Sequence, residues 1–126
     1  MTTILITGDR SIDPLQAVTG VAMTMKLLAL NKLFDEDTTI VTGDAPKGVE
    51  RAVRYLFEDA TNLIIKPRPL VEGKPDHDTY AKELSTAGID VVYILHGDPM
   101  GSKITTSLFK HFDGDKVKLV LQDGVE

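Results

Sequence analysis

The chain contains no cysteine and no tryptophan, and only 6% of its 126 residues are aromatic. Without cysteine it has no disulfides, no thiolate zinc site and no cysteine nucleophile. No apolar run approaches the ~18 residues of a membrane span, so we expect no membrane-spanning segment. A Gly-x-Ser-x-Gly elbow, a Walker A sequence and a Gly-x-Gly-x-x-Gly fingerprint are also missing, which removes three common enzyme and nucleotide-binding signatures.

A cluster of basic residues is likewise missing. Fourteen lysines and arginines stand against nineteen acidic residues, so the protein is acidic, with a formal net charge of −5. A general nucleic-acid binder needs a basic face for phosphates, and we therefore expect no nucleic-acid partner. Residues 1–3 lead directly into a predicted strand, which indicates no cleaved signal. A cytoplasmic location is the simplest expectation.

What the chain does have is a regular alternation of strand and helix patterns. Its length and 42% hydrophobic content predict a single domain over residues 1–126. The predicted strands are 3–7, 39–42, 63–66, 90–95 and 116–121, and the predicted helices are 13–34, 46–57, 78–86 and 102–112. This order predicts an α/β fold with a five-stranded parallel sheet and helices on both faces, doubly wound in a Rossmann-like or flavodoxin-like manner. Residues 67–78 are predicted to form a loop, either a ligand-covering lid or a plain surface loop.

Three predicted strands end in a Gly-Asp pair: Gly8-Asp9, Gly43-Asp44 and Gly97-Asp98. Parallel strands bring these turns to one edge of the sheet, where open α/β sheets bind ligands. Glycine allows close approach of a ligand to the backbone, and the N-termini of the following helices favour anions. The sequence therefore predicts a small-molecule site at the carboxyl edge.

The glycine turns, in their order and spacing, resemble the SLOG superfamily, which includes the LOG phosphoribohydrolases, DprA/Smf-type proteins and small YspA/YpsA-like proteins. The similar stretches are Gly8-Asp9-Arg10, residues 42–50 (TGDAPKGVE) and residues 97–102 (GDPMGS). The resemblance implies a Rossmann-like fold, a nucleotide-like ligand and a homodimer. Glu50 stands where the family usually has aspartate, and Ser102 stands where it has threonine. Thr105 occupies the position of the LOG glutamate, and the Arg-Asn pair of the third helix is missing, so the fold and the ligand class transfer more safely than the hydrolase chemistry.

The turns and the resemblance together give the candidate ligand-binding residues Gly8, Asp9, Arg10, Gly43, Asp44, Lys47, Gly48, Glu50, His96, Gly97, Gly101, Ser102, Lys103 and Thr105. Arg10 either makes bidentate contact with a phosphate or carboxylate or forms a surface ion pair with Asp9 or Asp13. Glu50 is either an acceptor for ribose hydroxyls or an exposed helix-start glutamate, and Ser102 either binds phosphate or caps its helix. Lys47 and Lys103 either supply further positive charge for the ligand or are solvated side chains. His96 is a candidate ligand contact or general base.

Whether the ligand is only bound or also cleaved at its N-glycosidic bond stays open at this point; in the second case Arg10 and Glu50 are the candidate catalytic residues. One alternative is a phosphoryl-transfer enzyme with Mg²⁺ held by Asp9, Asp44 and Asp98, although capping is the ordinary role of Asp in such turns. Another is a catalytically silent interaction module. A homodimer is also expected, because the first predicted helix is apolar on more than one face.

Overall fold

The computed structural model describes residues 2–8, 13–30, 37–96 and 103–121. The strands are β1 (Thr2–Gly8), β2 (Thr38–Thr42), β3 (Leu63–Ile65), β4 (Leu70–Val71), β5 (Lys74–Pro75), β6 (Val91–His96) and β7 (Val117–Leu121). The helices are α1 (Pro14–Leu30), α2 (Val49–Leu56), α3 (His77–Ser85) and α4 (Lys103–His111). A 3₁₀ turn at Gly114–Lys116 precedes β7.

The main sheet is parallel and has β1 at its centre. β1 pairs with β2 on one side and with β6 on the other, β2 pairs with β3, and β6 pairs with β7. The strand order is β3-β2-β1-β6-β7. The predicted α/β class, with a parallel sheet flanked by helices, is confirmed.

Two apolar clusters lie against this sheet, and β1 contributes to both. Ile4 and Ile6 belong to one cluster with residues of α1 and α2, whereas Leu5 belongs to the other with residues of α3 and α4. Since successive side chains of a strand point to opposite faces, the two helix pairs cover opposite sides of β1. All three residues are at most 1% exposed, which explains why β1 reads as a continuous apolar run rather than an alternating one.

Asp side chains fix where two helices begin. Asp13 Oδ2 accepts hydrogen bonds from the backbone amides of Leu15 and Gln16 at 3.0 and 3.3 Å, as expected for the predicted cap of α1. At α3 the cap is Asp76, whose side chain accepts from the Thr79 amide at 3.1 Å. The helix therefore begins at His77, one residue before the predicted start. Residues 31–36, where the first helix was predicted to end, lie outside the described residues.

The segment predicted as a loop contains a small antiparallel hairpin formed by β4 and β5. Glu72 and Gly73 form its turn with φ values of 54° and 79°, a conformation that favours glycine. Residues 70–75 are all exposed. We call residues 66–76 the strap, because they connect β3 to α3 and lie beside the carboxyl end of β2. In the described part of the chain, no helix has the length and apolar character needed to cross a membrane.

Candidate functional site

The described turns lie at the carboxyl edge, as predicted. Gly8 ends β1, Gly43 and Asp44 follow β2, and His96 ends β6. Lys103 and Thr105 lie in α4, which begins at Lys103. The other predicted site residues, namely Asp9, Arg10, Gly97, Asp98, Gly101 and Ser102, lie outside the described residues, and their roles stay predictions.

Gly8 is required by packing between neighbouring strands. A Cβ atom at this position would overlap the carbonyl oxygen of Leu95 on β6 and the Cγ2 atom of Val49 on α2. Leu95 is the register partner of Gly8, so neither backbone can move without disturbing the sheet. The end of β1 thus brings the backbone, with no side chain, to the edge.

Glu50 lies behind the second turn, in the first turn of α2, and is only 1% exposed. Its Oε2 atom accepts from the hydroxyl of Thr7 at 2.5 Å, and its Oε1 atom accepts from the backbone amide of Ala45 at 3.1 Å. A Cβ at Gly43 would overlap the Glu50 carboxylate, so glycine at that position makes room for the carboxylate. The interpretation of Glu50 as an exposed helix-start residue is wrong.

Arg68, on the strap, is the partner of that carboxylate. Its Nη1 and Nη2 atoms donate to Oε1 and Oε2 of Glu50 at 2.5 and 2.6 Å, in the bidentate geometry that makes such pairs strong. The two side chains are 6% and 1% exposed. Burial by itself lowers the pKa of Arg68, but the hydrogen bonds and negative charge of Glu50 outweigh it, so the pKa is raised. The Arg68 guanidinium is therefore charged across the ordinary pH range.

Arg68 makes three further contacts that attach the strap to the site. Its Nε atom donates to Nδ1 of His77 at 3.1 Å, and its backbone amide donates to Oδ1 of Asp44 at 3.2 Å. Its Cζ atom lies 4.4 Å from the centroid of the Tyr80 ring, within cation–π range. One side chain thus joins the β2 turn, α2 and α3.

A second arginine holds the backbone of the same turn. Arg54, on α2, donates from Nη1 to the carbonyl oxygen of Gly43 at 2.6 Å and from Nη2 to that of Ala45 at 2.5 Å. Together with the Ala45–Glu50 bond, these contacts satisfy backbone groups on both sides of Asp44. Arg54 and Glu50 therefore hold the turn in place without any ligand.

Tyr80 lies on the α3 side of the polar cluster at the β2 turn, which consists of Thr7, Glu50, Arg54, Arg68, His77 and Tyr80 itself. It is fully buried, and its hydroxyl has no hydrogen-bond partner within the described part of the chain. Burial first, and then the charge of Glu50, raise the pKa of Tyr80. The phenol consequently keeps its proton.

The remaining predicted residues take different positions around the turn. Gly48 is the N-cap of α2, with φ of 79° and no side-chain cap, so its conformation favours glycine. Asp44 and Lys47 are exposed. Asp44 accepts from Arg68 rather than from the start of a helix, and the described residues contain no group of acidic or histidine side chains suited to a metal.

Sequence reasoning missed most of this cluster: Thr7, Arg54, Arg68, His77 and Tyr80 were not singled out as site residues. Arg68 could have been noticed in the sequence, because it stands between Pro67 and Pro69 shortly after a predicted strand, and prolines on both sides restrict the backbone there. The other four gave no local sign of their role.

The chain matches no protein-family model, and comparisons with the curated proteins and with the solved structures give no match.

Proposed function

We propose that the protein binds a nucleotide or nucleotide-derived small molecule at the carboxyl edge of a Rossmann-like, doubly wound fold. The observation that carries this proposal is the buried ion pair of Glu50 and Arg68 directly behind the Gly43 turn. A buried pair is expensive to desolvate and adds little net stability compared with apolar packing. Its position at the edge where such sheets bind ligands favours a role in fixing a site.

Within the proposed site, the cluster positions the β2 turn, and other groups contact the ligand. Both oxygens of Glu50 already accept two hydrogen bonds each, from Ala45 and Arg68 at Oε1 and from Thr7 and Arg68 at Oε2. A carboxylate used in this way positions the turn rather than receiving ribose hydroxyls. Ligand contacts then come from the backbone of the glycine turns, with Arg10, Ser102 and Lys103 supplying groups for a phosphate. The resemblance to the SLOG superfamily supports the same ligand class.

Binding without turnover is the favoured form of this function. The resemblance places Thr105 at the position of the LOG glutamate, and Glu50, the remaining acid named for N-glycosidic cleavage, is held by Arg68. A sensor or sequestering protein needs only the binding step. A chain without cysteine is compatible with a cytoplasmic location, which is part of the same proposal.

A thermal-shift screen tests the proposal. Nucleosides, their mono- and diphosphates, ADP-ribose, NAD and cyclic nucleotides are compared with and without Mg²⁺, and product analysis of each hit separates binding from cleavage. A ligand at 100-fold over its Kd adds about 2.7 kcal/mol to the free energy of unfolding, which raises Tm by several degrees. A screen in which no compound shifts Tm contradicts the proposal.

A matched pair of lysine substitutions tests where the ligand binds. Lys47 is exposed beside the β2 turn, and Lys116 is exposed just before β7, at the opposite edge of the sheet. Lys47→Ala is expected to weaken the binding of a phosphorylated hit, whereas Lys116→Ala leaves its Kd unchanged. Equal effects of the two substitutions would mean that binding depends on general charge and not on the carboxyl edge.

We also propose that the protein is a homodimer through α1. Leu15, Met23, Leu27 and Leu30 are 59–74% exposed, and they follow one another at helical spacing. Lys26 is the single charged residue of α1, so none of the acidic residues behind the net charge of −5 lies on this helix. Met23→Glu is expected to convert a dimer to a monomer in size-exclusion chromatography with light scattering. A wild-type monomer at high concentration contradicts this.

A further inference from the structure

The hydroxyl of Tyr80 lies in the buried cluster but takes no part in its hydrogen bonds. Tyr80 is fully buried, its ring lies beneath the Arg68 guanidinium, and the hydroxyl is without a partner among the described residues. Buried polar groups in proteins are nearly always paired, and an exception calls for an explanation such as a functional role or a bound molecule. A phenylalanine would fill the same space without the cost of an unpaired hydroxyl.

The state of this hydroxyl makes it a donor. Burial and the nearby carboxylate of Glu50 raise the pKa of Tyr80, so the proton stays on the phenol. Glu50 cannot accept it without giving up a partner, because both its oxygens are already used twice.

The charges around the ring decide which acceptor suits the donor. Glu50 and Asp44 both act on Tyr80 as negative charges, and Arg68 is the opposing positive charge. His77 accepts from Arg68 through Nδ1, which requires the neutral ring. A phosphate or carboxylate group at this hydroxyl would face the repulsion of both acids, so an uncharged acceptor is favoured.

We propose that the Tyr80 hydroxyl donates a hydrogen bond to an uncharged acceptor on the nucleoside part of the ligand: a base carbonyl, a ring nitrogen or a sugar hydroxyl. This inference rests on the proposed nucleotide site and adds to it a contact that distinguishes nucleoside from phosphate recognition. The hydroxyl is enclosed, so the ligand reaches it when the strap moves. Arg68 is held in place by Glu50, so this movement is confined to residues 70–75 of the strap, which are all exposed and contribute little packing.

Tyr80→Phe tests the contact, because it removes only the hydroxyl. In the free protein the substitution is expected to leave the midpoint of urea unfolding unchanged or to raise it, since no existing hydrogen bond is lost. A lowered midpoint would show that the hydroxyl already has a partner in the free protein, and the proposal would be wrong.

Binding is then measured by titration calorimetry with adenosine, guanosine, cytidine, uridine and their 5′-monophosphates. Tyr80→Phe is expected to raise Kd about fivefold, the effect of one neutral hydrogen bond, for a nucleoside and its monophosphate alike. The matched control is Tyr55→Phe, a tyrosine that is 65% exposed on α2, with no expected change.

The other outcomes each overturn a different statement. An effect on the monophosphate alone would place the hydroxyl on the phosphate and reject the uncharged acceptor. An unchanged Kd for both compounds would reject the contact while leaving the proposed function intact. A wild-type protein that binds none of these compounds would reject the nucleotide site and this inference with it. Ligand binding is also expected to change amide hydrogen exchange in the strap, and unchanged exchange would contradict the entry route.

Discussion

Two groups of charged side chains in this protein use the same chemistry in opposite surroundings. Glu50 and Arg68 pair at the carboxyl edge with side chains that are 1% and 6% exposed. Asp78 on α3 pairs with Lys110 and His111 at the end of α4, at 3.4 and 3.0 Å. Asp78 is 51% exposed and Lys110 is 67% exposed.

The difference between the two groups shows how burial sets the consequence of a broken pair. In the exposed group, water and salt replace a lost partner, and such pairs contribute little. In the buried group, a lost partner leaves a charge with no solvent to stabilise it. The buried group also positions the backbone, because Arg68 joins the strap to the β2 turn. The exposed group only connects two helices that already pack together.

The largest expected effect is that of Glu50→Ala. Removing the carboxylate leaves Arg68 buried without its partner, and we expect a loss of about 3–5 kcal/mol in the free energy of unfolding, measured by urea denaturation. The matched control is Glu83→Ala, in which the lost partner of Lys66 belongs to an exposed pair. A comparable loss in both variants would remove the distinction between buried and exposed charge.

Replacing both partners sharpens the same comparison. The double variant Glu50→Leu with Arg68→Met leaves no unpaired charge, and apolar replacements of a buried pair are often neutral in stability. We therefore expect it to be more stable than Glu50→Ala but to lose ligand binding, because the turn is no longer positioned. A double variant that binds as well as the wild type would show that the pair does not organise the site.

An intermediate effect is expected for Thr7→Val. The hydroxyl of Thr7 donates to the charged Glu50 carboxylate, and such bonds contribute about 1.5–3 kcal/mol. Thr42→Val is the matched control, since Thr42 is also buried at the end of a strand but donates to the neutral carbonyl of Ile6 at 2.8 Å. Its expected loss is about 1 kcal/mol. The reverse order would mean that the carboxylate is not the stronger acceptor.

The smallest effect is expected for Asp78→Asn. The hydrogen bond from His111, followed by the charge of Lys110, holds the pKa of Asp78 below its ordinary value of 3.8. A lowered folded-state pKa gives a contribution that is present above that ordinary value and is lost as pH falls through the folded one. The variant should therefore be slightly less stable than the wild type at neutral pH, and the difference should disappear as the pH falls below about 4 and Asp78 of the wild type is protonated.

High salt is expected to reduce this difference. Asp113→Asn, at another exposed carboxylate, serves as the control for general charge. A large loss at neutral pH for Asp78→Asn would show that the exposed group matters as much as the buried one.

The fold followed from local patterns to a large extent. Runs such as Val91–Leu95 are apolar at every position because the strands are covered on both faces, and the Asp13-Pro14 pair marks the start of α1 through hydrogen bonds that form within three residues. The strap was harder to predict. Its hairpin is only two residues long on each side, too short for a periodic pattern, and the proline and glycine content that suggested a loop also suits its turn.

The sequence by itself determined that the protein is acidic, that it forms an α/β domain with a parallel sheet, and that Gly8, Gly43 and the start of α2 meet at one edge. These features depend on composition and on neighbours within a few residues. Only the tertiary structure decided that Glu50 is buried, that Arg68 from a segment eighteen residues away occupies both its oxygens, and that the Tyr80 hydroxyl is left unpaired beside them. The reason is physical: a charge or a hydroxyl has the same local propensity whether it is solvated or buried, and the packing of distant elements alone sets which of the two occurs.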